Sequence, residues 1–277
     1  MDRPCHLRQR LAARFALAPR LALVAAAGML LASAAAGAER IVGASYVEPV
    51  ERYGHFALGR PHEYARLAAT TDAGRQLEFS LPDDEVFEDV APRVIRFAAG
   101  EAPEILAIVS ARGAGSRLVV LHLVDGRLDI DAQSAAIGTP MRWLNPVGVA
   151  DLDGDGRAEI AAVVTPHIGG TLKVYRRQGT RLVEVAALAG FSNHVYGTVE
   201  QTLSMPTSIF GTSRLLVPDA SRRQLRVIAL RDGRLVETGR CPLAEPVTGP
   251  VKAAPGDRVS VGLASGTRLL GAGDCPG

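Results

Sequence analysis

Three stretches of the chain repeat at a constant interval, and that repetition restricts the fold more than any other property. PEILAIVS, AEIAAVVT and RLLVPDAS place Ile105, Ile160 and Leu215 at a spacing of 55 residues. SRLVVLHL, GTLKVYRR and RQLRVIAL then align Leu118, Leu172 and Leu225. VDGRLDI, QGTRLVEV and RDGRLVET align Leu128, Leu182 and Leu235. The apolar runs are short and bounded by Gly, Asp-Gly and Pro, with no long 3.6-residue stripe, so they predict strands joined by tight turns. DGRL at 125–128 returns at 232–235, with Asp-Gly where a two-residue hairpin turn needs it.

Each copy reads as three or four antiparallel strands, entered through segments such as PRVIRF or PVGVADL. So small a sheet cannot bury both faces alone, and stacked copies must supply the core. The expectation is an all-β fold, a β-propeller with clear repeats at about 91–140, 141–191 and 192–240. Weaker copies fall at 54–90 and 245–272. The last copy lacks an outer strand, and ERIVGAS at 39–45 is expected to fill it, giving five blades closed by an N-terminal strand. Closure would remove exposed sheet edges. A β-sandwich or another blade count would also accommodate these strands.

The first 38 residues follow a different logic. Five arginines against one aspartate in residues 1–20 precede the apolar run LALVAAAGMLL and the small-residue stretch ASAAAGA. That is the order of a cleaved secretory signal, with Ala36-Gly37-Ala38 as the cleavage site. The apolar run is shorter than the ~20 residues a membrane span needs, so no integral span is expected after cleavage. The formal charge of +2 then becomes −2, with 26 basic and 28 acidic residues in 39–277. Such a balance argues against a nucleic-acid partner. A periplasmic or secreted location permits disulfides, and Cys241 and Cys275, the two cysteines beyond the signal, are expected to pair.

One segment carries strong metal chemistry: DLDGDGRAEI, Asp151 to Ile160. Asp151, Asp153 and Asp155 alternate, and Gly154 and Gly156 let the chain fold around a point. A hard cation takes six to eight oxygens, so three inward carboxylates, the Arg157 carbonyl and Glu159 make a plausible set. The segment is not an EF-hand, because its twelfth position is Ala162 and its flanks are strand-like. An all-oxygen set favours Ca²⁺ over zinc or copper.

This strand–loop–strand, within an exported β-rich repeat chain, resembles the FG-GAP/VCBS repeat family. The resemblance is specific over 151–160 and looser over about 90–240. It implies an integrin-like β-propeller in which Asp151, Asp153, Asp155 and Glu159, with the Arg157 carbonyl, ligate Ca²⁺. RWLNPVGVADLDGDG (142–156), TPH (165–167) and SNHVYG (192–197) are similar to an exported bacterial subgroup of that family. The neighbouring copies depart from the pattern: FAAGEAPEI (97–105) and IFGTSRLL lack the aspartates, so a single Ca²⁺ site is expected.

Outside the signal the histidines are His55, His62, His122, His167 and His194. His122 alternates within a strand and reads as structural, whereas the others lie at strand starts or turns. Loops of a propeller gather on its faces, so Arg142, Trp143, His167, Asn193 and His194 are candidates for a ligand pocket. The plainer reading has His and Asn capping turns and Trp143 packing between blades, since no paired-His metal spacing is present. No nucleophile elbow, P-loop or dinucleotide fingerprint occurs. Glu63, Asp83, Asp84, Glu85 and Glu88 read as a solvated acidic loop rather than a glycosidase pair. Two functions follow: a calcium-binding module for a protein or glycan partner, or a hydrolase or lyase with its site at the axis near Arg142, His167 and His194.

Overall fold

The computed structural model describes residues 38–277, so the expected signal segment lies outside the described residues apart from Ala38. Among the described residues nineteen strands and one short 3₁₀ turn make an all-β fold. The first antiparallel meander holds β1 (Ile41–Pro49), β2 (Tyr64–Thr71) and β3 (Gln76–Ser80). A short β4 (Glu85–Phe87) links it to the second, β5 (Arg93–Ile95), β6 (Glu104–Ala111), β7 (Gly115–Val124) and β8 (Arg127–Ser134). The third holds β9 (Leu144–Ala150), β10 (Glu159–Val164), β11 (Gly170–Gln178) and β12 (Arg181–Phe191). The fourth holds β13 (Met205–Thr207), β14 (Arg214–Pro218), β15 (Gln224–Arg231) and β16 (Arg234–Pro242). The last holds β17 (Val247–Ala254), β18 (Arg258–Leu263) and β19 (Gly266–Leu270).

The aligned repeats fall on equivalent strands. Ile105, Ile160 and Leu215 lie in β6, β10 and β14, the second strand of their meanders, and each is buried. Both DGRL copies form two-residue hairpins: Val124 pairs Arg127 and Arg231 pairs Arg234. Their Asp and Gly residues all have φ between 49° and 75°, the double positive φ of a type I′ turn.

Packing explains why these second strands are apolar at nearly every position. In β6, Ile105, Ala107 and Val109 join a cluster with Leu67 of the first meander and Phe87 of β4. The intervening Leu106 and Ile108 join Trp143 and Ile160 of the third. β10 divides likewise, Ile160 and Ala162 facing the second meander, Ala161 and Val163 facing Leu215 and Val217 of the fourth. Leu216, Val227, Val251 and Val261 pack the fourth meander against the last. A strand buried on both faces loses the apolar–polar alternation of a half-exposed one. Where the third and fourth meanders meet at Gly148 no side chain fits: Gly148 has φ 153°, and a Cβ there would lie 2.6 Å from Pro206 Cδ.

Two pairings were not legible in the repeat. The outer strands β8 and β12 make a two-residue parallel contact, Arg181 with Gln133 and Leu182 with Ser134, which joins meanders into a twelve-stranded sheet. The N-terminal strand does not complete the last copy. β1 pairs antiparallel with β2, from Ile41 opposite Thr71 to Pro49 opposite Tyr64, within the first meander. The physical reason is burial: Ile41 packs there with Leu67 and Ala69. Among the described residues no strand pairing runs from the last meander back to the first, and no closed ring is seen.

The Cys241–Cys275 pair is disulfide-bonded, tying β16 to the C-terminal 3₁₀ turn. No helix among the described residues is long and apolar enough to cross a membrane.

Candidate functional site

The acidic loop joins β9 to β10, so two buried strands hold its ends. Asp151 Oδ1 accepts from Gly154 N and its Oδ2 from Gly156 N. The loop therefore curls around the first carboxylate. Asp151, Asp153 and Glu159 bring ligand oxygens within 4.8 Å of one another. Asp155 does not join them; its Oδ1 accepts from Arg157 N at 2.8 Å. The Arg157 side chain leaves the loop for Glu101. Glu159 is fully buried and takes Leu152 N on Oε2. Its Oε1 accepts from Arg176 Nε and Nη2 at 3.0 and 2.8 Å, and the same guanidinium bonds Asp153. The converging oxygens fit a hard divalent cation by donor type, and Arg176, on β11, shares them.

A second site is built from loops. Trp143, immediately before β9, is buried and donates its indole N–H to Glu88 O at 2.8 Å. His167, in the β10–β11 turn, stacks parallel to Trp143 with centroids 5.9 Å apart. His194, after β12, packs against both rings. His194 Nε2 lies 2.9 Å from Thr198 O, a carbonyl that only accepts, so that nitrogen carries the proton. Burial pushes the His194 pKa down to about 4 and, with the neighbouring His194, that of His167 down to about 3. Both rings are neutral at pH 7, so His194 Nδ1 accepts from His167 Nε2 at 2.7 Å. His167 Nδ1 is left with a free lone pair.

The opposite wall comes from the loop between β1 and β2. Glu63, wholly buried, receives Gly54 N, His55 N and Phe56 N, and these bonds fix the turn that carries His55. His55 Nδ1 lies 2.8 Å from Oε1 of Glu88, also wholly buried, which accepts from Ala57 N too. Glu88 Oε2 takes Ser110 Oγ at 2.6 Å. The Glu88 carboxylate engages Nδ1, and Nε2 of His55 makes no hydrogen bond among the described residues. Tyr196 meets both His55 and His167 edge-on and donates its hydroxyl to His55 O at 2.8 Å. The result is a pocket of about 160 Å³ lined by His55, Met141, Arg142, Trp143, His167 and Tyr196 among others.

Four of the five candidate pocket residues thus assemble, with Arg142, Trp143 and His167 on the wall and His194 behind His167. Asn193 does not. It is buried against Asn145, each side-chain amide donating to the other's backbone carbonyl, and Asn193 also reaches Ser204 Oγ. The acidic stretch is also corrected: Asp83 and Asp84 are exposed, but Glu63 and Glu88 are buried acceptors that shape the His55 wall. His55, Glu63, Glu88 and Tyr196 carried little signal, since spacing alone does not reveal which loops of distant copies meet. His122 contributes elsewhere, beside Asp131 at 3.6 Å, where Arg177 bonds both Asp131 and Glu104.

No protein-family model matches the chain, and no curated protein matches it. Residue chemistry alone therefore carries the functional reading.

Proposed function

We propose that the chain is an exported, calcium-stabilised β-propeller of five FG-GAP/VCBS-like blades, one per meander, that acts as a binding module for a protein or glycan partner. The observation that carries the binding reading is the pocket between Tyr196 and Trp143, where His55 Nε2 and His167 Nδ1 make no hydrogen bond to the described residues. Concave sites with apolar walls and a few fixed polar groups are the usual form of a ligand site. Four inter-meander clusters and the D-x-D-x-D-G loop support the propeller and the calcium assignment. The N-terminal signal pattern and the disulfide support export to the periplasm or beyond. A thermal-shift screen of glycans and small periplasmic solutes tests it. A ligand that raises Tm in the wild type but not in Tyr196→Ala supports the reading; stabilisers indifferent to that substitution, or none at all, reject it.

One observation favours a hydrolase or lyase instead. A buried carboxylate orienting Nδ1–H, with Nε2 open to a pocket, is how a general base is held, and Glu88–His55 has that form. The base would then be His55 rather than His194, whose two nitrogens are both engaged. Turnover abolished by His55→Gln at unchanged Tm would decide for the enzyme.

A further inference from the structure

The pocket's chemistry narrows what it can hold, and this inference rests on the binding reading above. We propose that it receives a single neutral pyranose ring of a glycan. Its volume of about 160 Å³ is roughly that of five water molecules and below the ~300 Å³ at which drug-sized sites begin, so one ring enters and the remainder stays outside. Two ring nitrogens on its walls make no hydrogen bond among the described residues, His55 Nε2 and His167 Nδ1, and the bond from His167 Nε2 to His194 makes His167 Nδ1 an acceptor. An apolar side chain would leave both dry, and a carboxylate or phosphate would set an acceptor against the His167 Nδ1 lone pair. A cation fares no better, because the Arg142 guanidinium shares the pocket and Arg222 lies close enough to bear on His167. What remains is a neutral group rich in hydroxyls, which donate and accept alike.

The rim supplies the second half of the match. Met141, Ile168 and Tyr196 are 38%, 61% and 56% exposed and all line this one pocket. A pyranose has an apolar C–H face for the Tyr196 ring and equatorial hydroxyls for the imidazoles, while Arg142 can donate to its oxygens.

Trp143 is the one tryptophan in the chain and lies in the wall, so its emission reports occupancy directly. The full mature chain would be titrated with methyl α-D-glucopyranoside, methyl α-D-galactopyranoside and methyl α-D-mannopyranoside, and with N-acetyl-tyrosinamide as a peptide side-chain probe. The expected result is a saturable change with at least one pyranoside, weakened about tenfold in Tyr196→Ala and restored in Tyr196→Phe, which keeps the ring. Saturation by N-acetyl-tyrosinamide with no response to any pyranoside overturns the sugar assignment and leaves the binding reading standing. No response to any of the four also overturns it, and the thermal-shift screen then decides the binding reading separately. A pyranoside response that Tyr196→Ala leaves unchanged would place the sugar elsewhere and overturn it equally.

Discussion

His167 Nε2 lies 2.7 Å from His194 Nδ1, and burial holds both rings uncharged, with pKa values pushed from 6.5 to about 3 and about 4. The unfolded chain binds protons on these residues first as the pH falls. Their contribution to stability is therefore complete above the unfolded pKa and is lost progressively towards the folded values, by up to about 1.4 kcal/mol per pH unit for each proton. Urea midpoints should fall between pH 7 and 5, and His167→Gln should flatten that slope. A midpoint equally pH-dependent in both proteins would show that the pair does not govern it.

Arg176 stands as the resident counter-charge of the acidic loop, bonded to both Asp153 and Glu159. Removing Ca²⁺ with EGTA should lower Tm, and Asp153→Asn should abolish the response. Arg176→Ala should raise Ca²⁺ affinity by about tenfold, because the ion no longer displaces a guanidinium from the same oxygens. Calorimetric titration measures this. Equal affinity in wild type and variant would mean that Arg176 and the ion do not compete.

Glu88 accepts from a ring nitrogen, a backbone amide and a hydroxyl while wholly buried. Glu88→Gln replaces one accepting oxygen with a donor facing donors, so it should destabilise by about 3 kcal/mol. His55→Gln, nearer the surface, should lose less. Chemical denaturation of the two variants gives the order, and the reverse order would contradict this account of the wall.

Gly148→Ala should destabilise by about 1–3 kcal/mol, because φ is 153° and the new methyl meets the Pro206 ring. Gly43→Ala, where a Cβ meets nothing within 4 Å, should stay within ~0.5 kcal/mol of wild type. Similar losses at both positions would locate the effect in the strand rather than in the close approach.

Reduction of Cys241–Cys275 should lower stability by about 2–4 kcal/mol. Cys241→Ser should leave Cys275 open to a thiol reagent. Finding both thiols reactive in the oxidised wild-type protein would contradict the pairing.

The strands of the repeat could be read from the sequence because burial on both faces writes itself as apolar runs, and double positive φ writes itself as Asp-Gly. Ile105, Ile160 and Leu215 carry the first signal, and the 125–128 and 232–235 turns the second. The partner of β1 could not be read, because a single strand with mixed burial fits either end of the row equally well. The acidic loop was legible as a local segment, but Arg176 was not, since its contact crosses from β11. Nor could the fate of Glu63 and Glu88 be foreseen: a carboxylate fed by backbone amides is indistinguishable in sequence from one facing water.

The two-faced strands have a consequence for how the molecule comes apart. β6, β10 and β14 each contribute alternate residues to two different clusters, whereas the clustered residues of β1–β3 and of β17–β19 belong to one cluster each, so loosening a middle meander opens two clusters and loosening the first or last opens one. Opening should therefore begin at β1–β3 or β17–β19 and advance inward, with amide exchange slowest at the centre of the row. The pocket draws its two walls from opposite ends of that order, His55 from an end meander and His167 from the middle. It would come apart before the core around Ile160 gave way.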